Sequence, residues 1–312
     1  MDDALMADTL NAARVRVPCS TSNLGSGYDT IGLALDRYLE ATFEPGPTGL
    51  TISRGDTLTE VSYDDSDDLV ALSFAGTLRR MGREVGGTLC LTSDIPIGKG
   101  LGSSAAAILA GTDLALAASG QSRDDARVFE AAYEHEGHGD NAAPCLYGGL
   151  RAVLPGATGP LPIELALSPN LGFAYAAPAT AIETKAARDV LPEQVGHDLA
   201  ARSLARATAL VRGLASADPE LIKIGVEDEL HVPHRLPMIP GAYNAIGAGC
   251  DAGAWAITIS GSGSGLIALC DPSDAEGVAR AMRQVFSNGT DDPDCPGFAA
   301  TPDFEGLTRL SV

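Results

Sequence analysis

Basic residues are scarce in this chain of 312 residues. Lysine and arginine total 21 against 41 aspartates and glutamates, which gives a formal net charge of −20. Nucleic acids and anionic membranes attract proteins through clustered basic side chains. The composition therefore argues against a nucleic-acid partner and against a membrane partner. It also means that an anionic substrate has to be held by local groups, against the field of the whole molecule.

Long apolar segments and paired cysteines are also missing. No apolar run reaches the length of about 18 residues that a membrane span needs. The acidic N-terminus, with Asp2, Asp3 and Asp8, does not resemble a signal peptide, and we expect a short extension there. Scattered cysteines without a C-x-x-C pair argue against a zinc site or a disulfide framework. The six cysteines are Cys19, Cys90, Cys145, Cys250, Cys270 and Cys295. We predict a cytoplasmic protein in which most of them are core residues.

Strand-like and helix-like segments mix without a strict βαβ period, which favours an α+β fold. Helical spacing begins after Asp67 or Asp68, either of which suits a helix cap. Two helices are predicted over residues 103–119 and 122–134, with Ser122 capping the second. The three prolines and two glycines of residues 155–162 make this stretch the clearest candidate for a linker.

The most informative segment is IPIGKGLGSSAAAILAG, residues 95–111. Three alternate glycines lead into two serines and an alanine-rich helix. Glycine takes up positive φ without steric cost, and a helix N-terminus presents unpaired N–H groups. Together they predict a phosphate site, with Lys99 inside the loop. The alternative is a glycine-rich turn before an ordinary helix.

Other known loops fit this segment less well. A Walker loop has serine or threonine after its lysine, whereas Gly100 follows Lys99. The dinucleotide motif requires G-x-G-x-x-G, and the elbow of a serine hydrolase requires G-x-S-x-G. Neither spacing occurs here, so we predict a third kind of phosphate loop.

Three further polar clusters stand out, at residues 20–29, 130–149 and 260–265. The second contains His135 and His138, which lie three residues apart around a glycine. A zinc protease needs two histidines four residues apart on one helix, so a zinc site is not expected. Magnesium takes few protein ligands, often one carboxylate together with phosphate oxygens and water. Glu130 and a serine of the loop would be enough.

These clusters together resemble the GHMP family of small-molecule kinases. Segments similar to the three family motifs occupy residues 15–35, 95–106 and 260–265. Residues 136–150 resemble the substrate-side segment of the members that phosphorylate homoserine, and residues 184–192 and 231–241 are more particular to those members. They occur in the expected order over nearly the whole chain.

The resemblance implies a GHMP kinase fold, with an N-terminal domain like the second domain of ribosomal protein S5 and a C-terminal ferredoxin-like domain. We expect these at residues 1–160 and 161–312. It also implies ATP-dependent phosphorylation of L-homoserine for threonine biosynthesis, with ATP and Mg²⁺ as cofactors and the small molecule bound between the domains. The oligomeric state stays open, a homodimer included.

The family's functional residues transfer to matching positions of this chain. The ATP phosphates would be wrapped by Pro96, Ile97, Gly98, Lys99, Gly100, Leu101, Gly102, Ser103, Ser104, Ala105 and Ala106. Mg²⁺ would be held by Ser104 and Glu130. Homoserine would be surrounded by Asn23, Asp29, His138, Asn141, Thr184, Arg188 and Arg235. A guanidinium fork suits the substrate carboxylate, and Asp29 suits its ammonium.

The reaction itself can follow two schemes. Phosphoryl transfer needs positioning and charge neutralisation more than covalent chemistry. In one scheme Asp29 or Asp140 takes the hydroxyl proton, and Lys99 is a further catalytic residue. In the other the proton passes to the γ-phosphate, and we favour this one. The chain departs from the usual family residues at Tyr28, and at Asp68 beside the adenine site.

Two rival functions need discrimination. A GHMP kinase for mevalonate or a polyol would have less use for the charges of Asp29, Arg188 and Arg235. An inactive binding protein of the same fold would have no need of an intact loop from Lys99 to Ser104.

Overall fold

A computed structural model describes residues 10–47, 49–56, 58–59, 65–290, 292 and 294–312. The acidic N-terminal segment lies outside these residues. The described strands are β1 (Ala13–Asn23), β2 (Gly27–Pro45), β3 (Gly49–Asp56), β4 (Gly86–Ser93), β5 (Leu150–Gly156), β6 (Gly159–Glu164), β7 (Gly172–Ala176), β8 (Ala256–Ile259), β9 (Leu266–Cys270), β10 (Gly297–Ala300) and β11 (Thr308–Leu310). The described α-helices are α1 (Leu69–Arg80), α2 (Ser103–Ala118), α3 (Asp125–Glu136), α4 (Ala142–Tyr147), α5 (Thr184–Asp189), α6 (His197–Ser216), α7 (Pro219–Val226), α8 (Val232–Arg235), α9 (Ala242–Asp251) and α10 (Ala275–Phe286).

The first sheet has the strand order β11-β1-β2-β4-β3, with β5 pairing β2 and β6 pairing β5. The pair β3–β4 is parallel, and the others are antiparallel. The long pair β1–β2 shifts register between Pro18 and Cys19. Such a bulge bends a strand locally. Beyond it, β1 ends at Asn23 among the residues of the candidate site.

The second sheet has the strand order β10-β7-β9-β8, and all its pairs are antiparallel. The last strand in the sequence, β10, borders the first, β7. The third, β9, lies between β7 and β8. Helices separate β7 from β8 and β9 from β10. This is the βαββαβ arrangement of a ferredoxin-like domain, in agreement with the α+β prediction.

Helix α2 is the central helix of the first core. It is buried around most of its circumference, as expected for an alanine-rich helix without a polar face. At Gly111 it crosses α1 so closely that a Cβ atom would lie 2.3 Å from the carbonyl oxygen of Val70. Asp113 is a buried acidic residue of α2, and Arg309 on β11 pairs with its carboxylate at 2.7 Å. The core therefore fixes the helix whose N-terminus faces the phosphate loop.

Several local predictions need correction. Residues 155–162 are not a linker, because they form the turn and flanks of the β5–β6 hairpin in the first sheet. The prolines and glycines there belong to a tight connection between β5 and the edge strand β6. Helix α3 is capped by the carboxylate of Asp124, which accepts from the N–H of Arg127, and not by Ser122. The predicted cap of α1 is confirmed, since Asp68 accepts from the N–H of Ala71.

The predicted division at residue 160 does not coincide with the sheets. β6 continues in the first sheet to Glu164, and β7 opens the second sheet at Gly172. β11 returns to the first sheet and pairs with β1. Four of the six cysteines are buried, and all six are free thiols. Within the described ranges, no helix combines the length and apolar character needed to cross a bilayer.

Candidate functional site

The glycine loop between β4 and α2 has the conformation that its sequence predicts. Gly98, Gly100 and Gly102 have φ values of 66°, 75° and 62°, which other residues rarely adopt. Gly100 is required for a second reason, because a Cβ atom there would lie 2.0 Å from the carbonyl oxygen of Ser260. Helix α2 begins at Ser103 without a side-chain cap. Its first N–H groups therefore face the loop cavity and can bind an anion.

Residues of the second sheet, and of the loop between β8 and β9, donate hydrogen bonds to carbonyl oxygens of this loop. The hydroxyl of Ser260 donates to the carbonyl oxygen of Gly100 at 2.6 Å. The carbonyl oxygen of Lys99 accepts from the hydroxyl of Tyr175 at 2.6 Å and from the N–H of Gly265 at 3.2 Å. The second glycine cluster, residues 260–265, is therefore the support on which the phosphate loop rests.

The side chain of Lys99 does not line the cavity, and this geometry does not support its predicted catalytic role. Its ammonium donates to the carbonyl oxygens of Pro178 at 2.6 Å and Ala179 at 2.7 Å. Partial burial lowers the pKa of Lys99 from its ordinary value. The hydrogen bonds of Lys99 therefore connect the phosphate loop to the segment that leads from β7 to α5.

Most of the predicted site residues meet at one cavity of about 420 Å³ between the two sheets. Its walls include Asn23, Asp29, Gly98, Gly100, Leu101, Gly102, Ser103, Ser104, His138, Asp140, Asn141, Thr184, Arg188 and Arg235. Pro96 lies beside the cavity rather than in its wall, and Ile97 lines a neighbouring cavity. Ala105 and Ala106 are buried in the core, and the N–H of Ala106 already donates to the carbonyl oxygen of Gly102 at 3.0 Å.

The neighbouring cavity is mainly apolar and has a volume of about 290 Å³. Ser103 and Ser104 line both cavities, so the two join at the start of α2. Its apolar wall contains Leu39, Leu58, Leu69, Val70, Leu91, Ile95, Ile97 and Ala107. Asp68 lies at its edge with both carboxylate oxygens occupied, one by Ala71 and the other by Arg54 at 3.0 Å. An apolar slot that leads to an anion cradle suits a nucleotide base.

The carboxylate beside the phosphate loop is Glu136, not Glu130. Glu130 is exposed on α3 and does not line the cavity, a position that does not support its predicted role as a metal ligand. Glu136 ends α3 next to Gly137, whose φ of 76° turns the chain into the site. Burial raises the pKa of Glu136 to about 7. Its Oε2 atom is buried and has no hydrogen-bond partner among the described residues.

A histidine and an aspartate form the next part of the wall. Nδ1 of His138 is hydrogen bonded to Oδ1 of Asp140, which is 1% exposed. Burial opposes the charge on His138, but its bond to Asp140 and the nearby carboxylates raise its pKa overall. Oδ2 of Asp140 is buried without a hydrogen-bond partner among the residues described. It is therefore an acceptor available to a ligand.

Asp29 and Arg188 both line the cavity and form an ion pair with each other. The two guanidinium nitrogens of Arg188 donate to the two carboxylate oxygens of Asp29 at 2.9 and 3.0 Å. Asp29 has a φ of 50°, a strained conformation that clusters at functional sites. The side chain of Asn23 holds this turn, since its Oδ1 accepts from the N–H of Asp29 and its Nδ2 donates to the carbonyl oxygen of Gly261.

Arg235 is a second cation in the wall, only 2% exposed. Its Nε donates to the carbonyl oxygen of Ala187 at 2.8 Å, which joins it to the helix of Arg188. Its guanidinium lies 5.4 Å from the ring centre of Tyr28. Thr184 completes this side, 3.3 Å from the hydroxyl of Ser262, and Asn141 donates to the hydroxyl of Ser22 at 3.0 Å.

The residues around the start of α2 fit a bound Mg²⁺. Glu136 supplies a buried, unpartnered carboxylate oxygen, and Ser104 supplies a hydroxyl in the same wall. Oxygen ligands of this kind, few in number and next to a phosphate cradle, are typical of magnesium sites. The sequence signal for Glu136 was its place just before the helix-ending glycine, which directs the last turn into the site.

The chain matches two family models. Residues 70–149 match the N-terminal domain of GHMP kinases, and residues 210–288 match the GHMP kinase C-terminal domain. A homoserine kinase of Thermus thermophilus is 35% identical over 274 residues, which are 88% of this chain and 92% of the relative. A homoserine kinase of a Synechococcus species is 37% identical over 272 residues, covering 86% and 89% of the two chains.

Solved structures agree with the sequence matches. The crystal structure of a homoserine kinase from Cytophaga hutchinsonii superposes with a TM-score of 0.84 at 28% identity, over 99% of this chain and 100% of the other. A mevalonate kinase of Methanococcus jannaschii superposes with a TM-score of 0.68 at 14% identity, over 94% and 98% of the two chains, and shares the fold.

Proposed function

The chain belongs to the GHMP kinase family, and on that premise we propose that it transfers the terminal phosphoryl group of ATP to the side-chain hydroxyl of L-homoserine. The family and its fold are those predicted from the motifs. The product, O-phospho-L-homoserine, places the reaction in threonine biosynthesis. Relatives that are homoserine kinases cover most of the chain and support this substrate.

One observation carries the proposal of substrate. The cavity beside the phosphate loop presents Asp29 opposite Arg188 and the buried Arg235. A carboxylate binds an ammonium, and a guanidinium binds a carboxylate. Homoserine carries both groups on one carbon, with the reactive hydroxyl at the other end. An uncharged polyol would leave these charges unused.

The nucleotide fits the paired cavities. The apolar slot would take the adenine ring, and the positive-φ glycines with the first turn of α2 would take the phosphates. Both meet at Ser103 and Ser104, so the γ-phosphate would point into the cavity that contains Asp29. The hydrogen bonds of Lys99 fix the loop from behind and leave the N–H groups in front available.

Ser104 and Glu136 would hold Mg²⁺ in this arrangement. When bound, the ion would neutralise phosphate charge that develops during transfer. Glu136 has to be ionised to act as a ligand, and its buried position makes the carboxylate costly to ionise alone. Its charge is therefore best accommodated when the phosphates and their cation are present.

For the hydroxyl proton, Asp29 and Asp140 are not equivalent. Both oxygens of Asp29 are occupied by Arg188, whereas Oδ2 of Asp140 is without a partner among the described residues. Asp140 can therefore accept a hydrogen bond from the substrate hydroxyl and orient it toward the phosphate. In the scheme that we favour, the proton then passes to the γ-phosphate.

A substrate panel tests the proposal. Purified enzyme with ATP and Mg²⁺ is assayed with homoserine, mevalonate and galactose, and formation of ADP and of the phosphorylated product is measured. Homoserine is expected to be the preferred acceptor. A preference for mevalonate or galactose would support another GHMP kinase, and absence of turnover with every acceptor would support an inactive binding protein.

A further inference from the structure

A buried histidine lies behind Arg235 and has no role in the site described above. His231 is 0% exposed and lies four residues before Arg235, just before the short helix α8. Its Nε2 atom lies 3.0 Å from the carbonyl oxygen of Gly25. Because a carbonyl oxygen only accepts hydrogen bonds, Nε2 has to carry a proton.

The other ring nitrogen faces Arg235. Nη1 of Arg235 lies 3.5 Å from Nδ1 of His231, at the long end for a hydrogen bond. A guanidinium has only donors, so Nδ1 has to be the acceptor and the imidazole neutral. Burial lowers the pKa of His231, Arg235 lowers it further, and the charge of Asp228 opposes this. A second proton would place an N–H group against the guanidinium.

Asp228 fixes the backbone that carries the imidazole. Its Oδ2 atom accepts from the backbone N–H groups of His231 at 2.7 Å and of Val232 at 2.8 Å, and it lies 3.7 Å from Nε2 of His231. The ring of Tyr28 stacks on the imidazole with centres 5.1 Å apart, and the Arg235 guanidinium also lies against that ring. Arg235 is therefore bounded by an aromatic face, a backbone carbonyl and the lone pair of Nδ1.

We propose that His231 is a positioning residue, whose Nδ1 atom accepts a hydrogen bond from Arg235 and orients that guanidinium toward the substrate carboxylate. The hydrogen bond from Nε2 to Gly25 selects the tautomer that makes this acceptor available. The inference rests on the proposed function, because Arg235 is assigned there to the carboxylate of homoserine. His231 touches neither substrate nor nucleotide, and acts through Arg235 alone.

Two substitutions test the hydrogen bonds of the two ring nitrogens of His231 separately. His231→Gln can still donate toward Gly25 but offers no acceptor at Nδ1, whereas His231→Asn can present a carbonyl oxygen close to the Nδ1 position. His234→Gln is the matched control, since that histidine lies on the same short helix without a described side-chain contact to Arg235. Homoserinol, in which the carboxylate of homoserine is reduced to an alcohol, is the matched substrate.

With homoserine, His231→Gln is expected to raise KM about tenfold, the value of one hydrogen bond to a charged group, while KM for ATP is unchanged. His231→Asn is expected to recover part of this loss. With homoserinol, and in an Arg235→Leu background with homoserine, His231→Gln is expected to have little effect. Equal losses for homoserine and homoserinol, or no loss for either, would overturn the proposal.

The tautomer is measured without turnover. Nitrogen NMR of the histidine-labelled protein is expected to show His231 neutral, protonated on Nε2, with an Nδ1 resonance that moves in Arg235→Leu. A proton on Nδ1, or an Nδ1 resonance indifferent to Arg235, would overturn the positioning role even in an enzyme that uses another substrate. Lack of homoserine turnover by the unmodified enzyme, with the expected spectra, would instead contradict the proposed function.

Discussion

Asp29 and Arg188, 159 residues apart in the chain, form a two-pronged ion pair across the substrate cavity. Each is a residue that the substrate itself would need. In the proposed function, binding of homoserine would exchange one ion pair for two, with its ammonium at Asp29 and its carboxylate at the arginines. A ligand that carries only one of these charges would separate the pair and leave one partner uncompensated.

This exchange predicts that both charges of the substrate are needed together. Homoserinol lacks the carboxylate, and γ-hydroxybutyrate lacks the ammonium. Each is expected to lose at least about 30-fold in kcat/KM relative to homoserine, since an unpaired charge in such a site costs roughly 2–5 kcal/mol. Steady-state assays with each acceptor measure this. Comparable kcat/KM for homoserine and either analogue would refute the exchange.

The two glutamates of α3 are expected to differ sharply. Glu136→Gln removes the carboxylate proposed to hold Mg²⁺ and is expected to lower kcat strongly and to weaken the dependence of the rate on Mg²⁺ concentration. Glu130→Gln, on the exposed side of the same helix, is expected to behave like the unmodified enzyme. Initial rates over a Mg²⁺ titration compare the two, and loss of activity in Glu130→Gln alone would reverse the assignment.

Glu136 also predicts a dependence of stability on pH. Its folded pKa of about 7 lies above the ordinary value of 4.5, so the folded protein holds this proton more tightly than the unfolded chain. The stabilising contribution is present below the ordinary pKa and is lost as the pH rises to about 7. Glu136→Gln cannot ionise and is expected to exceed the unmodified protein in stability at high pH, by up to about 3 kcal/mol.

Urea unfolding without nucleotide or Mg²⁺, near pH 5 and near pH 8, measures this difference. The gain from Glu136→Gln is expected to be small at the lower pH and large at the higher one, and Glu130→Gln serves as the control. A gain that does not depend on pH would mean that the packing of glutamine, and not the ionisation of Glu136, is responsible.

Lys99 is expected to matter for the structure of the loop. Lys99→Met removes two hydrogen bonds to the carbonyl oxygens of Pro178 and Ala179. We expect a loss of roughly 1–2 kcal/mol in the free energy of unfolding, discounted because the ammonium is only half-buried. KM for ATP and KM for homoserine are expected to rise together, because these hydrogen bonds join the phosphate loop to the segment that leads to Thr184.

Lys185→Met is the matched control for this experiment. Lys185 forms an exposed ion pair with Asp189, which contributes little to stability. Denaturation curves and both KM values are compared for the two variants. A rise in KM for ATP alone in Lys99→Met would restore the sequence prediction that Lys99 contacts the nucleotide.

Local patterns predicted much of this molecule. The left-handed conformation of the glycine loop was predictable because glycine takes up positive φ without steric cost, and the cap at Asp68 because its carboxylate meets a backbone N–H group three residues away. The turn at residues 155–162 was misread because prolines and glycines mark both linkers and hairpins. Only the pairing of β5 with β6 distinguishes the two.

The side-chain directions in the site that differ from expectation have a common physical origin. The direction of the Lys99 side chain depends on carbonyl groups about eighty residues further along the chain, which no local pattern contains. The choice between Glu130 and Glu136 depends on where α3 ends and which side of it is exposed. The contacts of His231 with Tyr28 and Gly25 likewise join distant segments of the chain.

The return of β11 to the first sheet has a consequence for synthesis of the protein. Its residues pair with β1, yet they are translated after every strand of the second sheet. On the ribosome, one edge of β1 therefore stays unpaired until every strand of the second sheet and then β11 have emerged. Contacts between such distant segments slow folding, and no single proteolytic cut separates the two sheets into independent fragments.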